Sequence, residues 1–146
     1  MTHADDFLPT VRALVHGYQA FVAYSQSHIR SLGLTPAQFD IVATLGNTPG
    51  MTATELCEKT LITKGTLTGV VDRLTDRGWV ERGVHDTDRR CQIVRLTQAG
   101  EKLFASVFPR HMTHLAAAFA GTDAADHARW QKALRELEQV FGKGSA

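Results

Sequence analysis

Apolar side chains recur near the start of the chain at close to helical spacing: Phe7, Val11, Val15, Tyr18, Val22 and Ile29. That pattern predicts one long amphipathic helix, started around Asp5, Asp6 and Pro9, continued to about Arg30 and ended at Gly33. "TPAQ" follows as a start signal: Thr35 suits the cap, Pro36 the first helical position, and Gln38 completes a capping box. Phe39, Val42 and Leu45 then share one face, and "GNTPG" stops the helix. Thr52 and Glu55 make a second box that opens a short helix to about Lys59, and Thr63 caps another carrying Leu67, Val70, Val71 and Leu74 up to Gly78. "WVERG" and "CQIVRL" read as two strands joined by a polar turn, with Val80 and Arg82 alternating on one, and Gln92, Val94 and Leu96 on a shared face of the other. Thr97 caps a long helix bearing Leu103, Phe104, Val107, Phe108, Met112, Leu115 and Phe119, with Pro109 as a possible kink. "GTD" breaks the chain before a last helix marked by Trp130, Leu134, Leu137 and Phe141.

Three compact helices followed by a two-stranded hairpin define a winged helix-turn-helix, so the expected fold is mainly α, with flanking long helices forming a dimerisation domain. The expected boundaries are an N-terminal dimerisation helix over 1–33, the winged unit over 34–98 and C-terminal dimerisation helices over 99–146. The outer helices cannot bury their apolar stripes on so small a unit, and a second copy of the chain is the simplest cover. The length of 146 residues and the 43% hydrophobic content suit this arrangement. A net charge of +1 neither favours nor opposes a nucleic-acid partner, so local distribution must decide. Two cysteines do not make a disulfide scaffold. The opening "MTHADDFLPT" lacks signal-peptide character, and no stretch reaches the length of a membrane span. A cytoplasmic protein without membrane attachment is expected.

The second helix of a helix-turn-helix enters the major groove. Here it runs from Thr63 to about Arg77, and its first turns bring Thr63, Lys64, Thr66 and Thr68 toward bases and phosphates. Gly65 and Gly69 weaken that helix, and two readings stand: they let the helix press against another surface, or they pack inside the protein. Residues 64–95 hold seven basic side chains against five acidic ones. Some acids need not face phosphate: Asp88 can pair with a nearby arginine and stiffen the turn, and Asp72 can reach the wing from the helix. A wing fixed in that way can place an arginine in a minor groove; an ordinary solvated hairpin is the alternative.

Three stretches, "LTPAQFDIVATL", "MTATELCEKTLITKGTLTGVVDRLTDRGWVERG" and "DTDRRCQIVRLTQAG", strongly resemble the MarR family of bacterial transcriptional regulators. The last carries that family's wing signature at Asp88, Arg89, Arg90 and Cys91. The resemblance implies a symmetric homodimer on pseudopalindromic double-stranded DNA, with a reading helix in each major groove and a wing at each minor groove. It makes Arg90 the wing-tip arginine, beside Arg89 and held by Asp88. It also implies repression that is relieved when a small aromatic acid, phenol or drug-like effector binds between the domains. Two positions depart from the family pattern. Gly69 stands where a polar or basic residue is common, which moves expected base readout toward Lys64, Thr66 and Arg73, and Cys91 replaces an alanine of similar size.

Other chemistries find little footing. Seven histidines include His111 and His114, three apart, and His16 and His28 on the first helix, but no compact Cys/His spacing or HExxH motif calls for a metal. No GxSxG, phosphate loop or dinucleotide fingerprint points to an enzyme or a cofactor. Redox sensing through Cys57 and Cys91 is one alternative function, and a helical protein-interaction module that ignores DNA is another. For the effector, expected where the first, second and fifth helices meet the DNA-binding core, the candidate lining residues are His16, Tyr18, Phe39, His111 and Leu115.

Overall fold

The computed structural model describes residues 4–84 and 91–143. In chain order the elements are α1 (Ala4–Ser31), α2 (Pro36–Leu45), β1 (Met51–Thr52), α3 (Ala53–Lys59), α4 (Lys64–Asp76), β2 (Val80–Val84), β3 (Gln92–Leu96), α5 (Gln98–Ala118) and α6 (Ala124–Gly142). Two compact units contain them, residues 1–114 and 115–146.

The caps explain most of the boundaries. Thr35 Oγ1 accepts from the Gln38 N–H at 3.2 Å while Gln38 Oε1 accepts from the Thr35 N–H at 3.0 Å, a complete capping box for α2. Thr52 Oγ1 accepts from the Glu55 N–H at 3.2 Å and opens α3. Thr63 holds the extended N-cap backbone of α4, yet its hydroxyl makes no cap bond and donates instead to Thr66 Oγ1 at 3.2 Å. Helix α1 begins ahead of Pro9, which lies inside it; Asp5 and Asp6 sit in the first turn, where carboxylates complement exposed N–H groups.

The expected two-stranded hairpin is part of a three-stranded antiparallel sheet of order β1-β3-β2. Val80 pairs with Leu96 and Arg82 with Val94, while Met51 joins the far side of β3 opposite Val94. At two residues, β1 is too short to show an alternation. One core cluster fills the space between the sheet and α2, α3 and α4, with Ile41, Leu45, Leu56 and Leu74 fully buried. A second, from Ile29, Leu34, Phe39 and Val107, ties α1 and α2 to α5.

The end of α4 is fastened to the start of α5. Gly78, at φ 75°, takes a left-handed conformation that favours glycine and turns the chain into β2. Thr97 then donates its N–H to the Trp79 carbonyl at 3.0 Å and its hydroxyl to the Gly78 carbonyl at 2.5 Å, and accepts from the Gly100 N–H at 3.1 Å. A Cβ on Gly100 would lie 1.9 Å from the Trp79 carbonyl oxygen.

In the second unit, an Asp123–Asp126 capping box starts α6, and Phe119, His127 and Trp130 pack their rings together. No residue of α6 is buried, and Trp130, Leu134, Val140 and Phe141 are exposed.

Gly100→Ala is expected to lower stability by about 1–3 kcal/mol, the usual cost of overpacking. Gly69→Ala, whose new methyl would meet nothing within 4 Å, should leave stability equal or slightly higher. Urea unfolding of both variants at one protein concentration checks the contrast; equal losses would contradict the Trp79 contact.

Candidate nucleic-acid interface

Helix α4 is amphipathic. Leu67, Val70, Val71 and Leu74 are buried, whereas Thr63, Lys64, Thr66, Thr68 and Arg73 are exposed. These five of the residues read from the sequence as DNA contacts therefore point away from the core. Because the Thr66 hydroxyl oxygen accepts from Thr63, its own proton remains available to donate. Gly65 and Gly69 have nothing within 4 Å of where a Cβ would stand, so they do not pack inside the described protein. They leave a low strip along the exposed side of the helix.

The acids on this surface are partly neutralised by the wing strands. Arg82 of β2 donates from Nη2 to Asp72 Oδ1 at 2.6 Å and from Nη1 to Thr75 Oγ1 at 3.5 Å. Arg95 of β3 donates to Glu81 Oε1 at 2.8 Å across the Glu81–Arg95 register pair. The Arg77 guanidinium lies 4.3 Å from the centre of the Trp79 ring. Asp72 thus reaches the sheet through Arg82, a partner that spacing alone did not name. Asp88, Arg89 and Arg90 lie outside the described residues.

A cavity of about 290 Å³ lies between α1, α2 and the segment after α3. Tyr18, Phe21 and Ile29 give it apolar wall, and Ser25, Asp40, Lys59 and Thr60 give it polar groups. Asp40 is exposed as a residue, but partial desolvation of its carboxyl holds its pKa above the ordinary carboxylate value. Of the five effector candidates, Tyr18 lines this cavity. Phe39 and His111 are instead buried against each other, ring edge to ring, with centroids 4.7 Å apart. His16 is exposed on α1 and is not among the lining residues, and Leu115 belongs to the second unit. Asp40 and Lys59, which also line it, come from different elements and form no local motif legible in the sequence.

Cys57 is half-buried against the core, and Cys91 is exposed just before β3. Among the described residues, no group of three or more His, Cys, Asp or Glu side chains is arranged to hold a metal ion, and no helix is long and apolar enough to cross a membrane.

An amphipathic helix with an exposed threonine and lysine row, packed beside a short helix and a three-stranded sheet, defines a winged helix-turn-helix of the DNA-binding kind. A family model described as the MarR family matches residues 32–90. The transcriptional regulator MhqR of Bacillus subtilis (strain 168) is 28% identical over 102 residues, 70% of each chain. The transcriptional regulator HosA of Escherichia coli O111:H- is 34% identical over 76 residues, 52% of this chain and a little over half of HosA at 56%. Among solved structures, that of BpsR of Bordetella bronchiseptica, from work on the regulation of its DNA binding by 6-hydroxynicotinic acid, superposes with a TM-score of 0.75. It is 26% identical, with coverage of 94% of this chain and 97% of BpsR. Residues 32–90 thus match the MarR family, and the chain is similar in sequence and fold to DNA-binding transcriptional regulators.

The Asp72–Arg82 pair is solvent-accessible, with side chains 57% and 31% exposed. Its coupling energy in a double-mutant cycle of Asp72→Ala and Arg82→Ala should be about 0.2–1 kcal/mol, since water screens such pairs. A coupling of several kcal/mol in urea titrations would show that the pair holds the fold together rather than orienting the wing strand.

Proposed function

We propose that this chain is a cytoplasmic, homodimeric transcriptional repressor that binds a pseudopalindromic DNA site and releases it when a small aromatic carboxylate or phenol binds. The exposed row on α4 carries the DNA part of this reading. Lys64, Thr66 and Arg73 supply base and phosphate contacts, Thr63 and Thr68 flank them, and Gly65 and Gly69 let the helix backbone approach the groove closely. Asp72, held by Arg82, keeps its charge occupied and fixes the wing strand against α4. Arg89 and Arg90, with Asp88, are assigned to the wing by the family signature in the sequence.

Apolar side chains left exposed on the outer helices support the dimer. Phe7, Leu8 and Val15 on α1 and Leu134, Val140 and Phe141 on α6 are exposed large hydrophobics, which a second copy would bury. For the effector, the cavity beside Tyr18 and Phe21 offers rings to pack on, Lys59 offers a cation to a carboxylate, and the Asp40 carboxyl can accept from a hydroxyl or ring N–H. BpsR, with its 6-hydroxynicotinic acid, supports an effector of that class. Such a ligand releases DNA only by binding the DNA-incompetent arrangement more tightly than the competent one.

Binding to a duplex from the gene's own upstream region, against a scrambled duplex and across a salt series, tests the DNA reading. Lys64→Ala should weaken binding and lower the log–log salt slope by about one unit if it neutralises a phosphate. Thr66→Ala and Arg73→Ala should reduce the preference for the cognate duplex by roughly 1–3 kcal/mol where they make good base contacts. A protein that binds both duplexes equally, with no change in any variant, contradicts the reading. A thermal-shift screen of aromatic acids and phenols tests the effector. Hits should lose their stabilising shift in Lys59→Met and should release DNA from the unsubstituted chain; hits insensitive to that change place the effector elsewhere.

A further inference from the structure

Between α1 and α5, three imidazoles from the two helices meet. His28 of α1 and His111 of α5 approach with Nδ1 to Nδ1 at 2.9 Å, and Ser25 Oγ is 3.1 Å from His111 Nε2. His114 stacks on His28, with centroids 4.2 Å apart and planes 6° from parallel, and on its other neighbour Tyr24 at 4.1 Å. Tyr24 donates its hydroxyl to the His114 carbonyl at 2.7 Å, and His114 Nε2 lies 3.2 Å from the Tyr24 carbonyl. A carbonyl only accepts, so that nitrogen carries a proton. These contacts fasten the last turns of α1 to the middle of α5.

The bond between the two Nδ1 atoms needs one N–H and one lone pair. A neutral pair satisfies that, and so does a pair sharing one added proton, but a pair with both Nδ1 atoms protonated does not. His111 is only 2% exposed, so a charge there is also poorly solvated. The surroundings supply no relief. Facing the cluster from α5 are Arg110, His111 and His114; from α1, Tyr24 and His28; from α2, the uncharged ring of Phe39. Asp40, beside Phe39 in sequence, lines the cavity that Ser25 also lines. Burial first, then the neighbouring positive groups, hold the pKa values of His28 and His111 below the ordinary 6.5.

We propose that this cluster is a proton-operated clamp between α1 and α5: deprotonated, it holds the DNA-competent arrangement, and acidification opens it and weakens operator binding. The second half rests on the DNA-binding reading above. The route to α4 is short in structural terms. The N-terminal end of α5 is fixed through Thr97 and Gly100 to Gly78 and Trp79, at the end of the reading helix. Freeing α5 from α1 at His111 and His114 therefore removes a support from the element that anchors α4.

The sign follows from proton linkage. With folded-state pKa values below the unfolded value, the unfolded chain binds protons more readily. The cluster's contribution to stability is therefore full above about pH 6.5 and is lost as the pH falls through that value toward the lowered ones. DNA affinity should fall in the same window. Surface histidines gaining charge would do the reverse and strengthen phosphate contacts.

The test measures melting temperature and affinity for the upstream duplex from about pH 8 to about pH 5, which brackets the histidine range, for the unsubstituted chain, His28→Gln and His111→Phe. The Phe variant keeps a ring in the stack without a titratable group and guards against simple loss of folding. The unsubstituted chain should lose affinity by up to about tenfold per pH unit for each extra proton taken up on opening, with a parallel drop in melting temperature. Both variants should show flatter melting profiles and constant or rising affinity on acidification. Identical profiles in all three proteins, or affinity that rises on acidification in the unsubstituted chain, overturn the proposal. A melting profile that bends as stated, in a chain that binds no duplex at any pH, overturns its regulatory half and the DNA reading together while leaving the clamp itself.

Discussion

Around Trp79 the backbone has almost no slack, and the placement of α4 depends on it. The Trp79 carbonyl accepts from the Thr97 N–H at 3.0 Å, and the same oxygen would stand 1.9 Å from any Cβ on residue 100. Only glycine permits that approach of α5. On the other side, the Trp79 N–H donates to the Leu74 carbonyl at 3.0 Å, and the Arg77 guanidinium covers the indole. The end of α4, the residue before β2 and the first turn of α5 are thereby one rigid joint. Val80 pairing with Leu96 extends that joint into the sheet, and Arg82 then reaches back from the sheet to Asp72 on α4.

Such a joint gives the long helices leverage. A shift of α5 is not absorbed in a flexible linker, because its first turn is bonded to the residues that end α4. Packed elements respond to small displacements by switching between arrangements rather than by bending. The two features that could bias α1, α2 and α5 are the cavity bearing Asp40 and Lys59 and the histidine cluster. Both lie within residues 1–114, the unit that also holds α4. Each would act on DNA binding without touching DNA, through a difference in affinity, for ligand or for protons, between two arrangements.

Much of this architecture is legible in the chain because it is encoded locally. Thr35 with Gln38, Thr52 with Glu55, and Gly78 after the buried row of α4 are short-range signals, and each marks an observed boundary. Thr63 occupies its cap position, but its hydroxyl donates to Thr66 and accepts no cap bond from the backbone. Strand β1 escapes notice because two residues carry no period. Features built across the sequence are not legible in the same way. Arg82 meets Asp72 only after the chain turns at Gly78, and His28 meets His111 across 83 residues. Phe39 and His111 read as ligand-facing because an aromatic and a histidine suit a pocket, whereas in the fold they bury each other. Whether a polar aromatic side chain packs or binds is decided by tertiary neighbours that spacing does not reveal.

The central claim is that two copies of this chain read one face of a duplex through α4. Hydroxyl-radical footprinting on the upstream DNA tests it most directly. The account requires two symmetric protected patches on the same face, with centres about 34–36 Å or one helical turn apart. Even protection along the duplex, or one isolated patch at saturating protein, would contradict it.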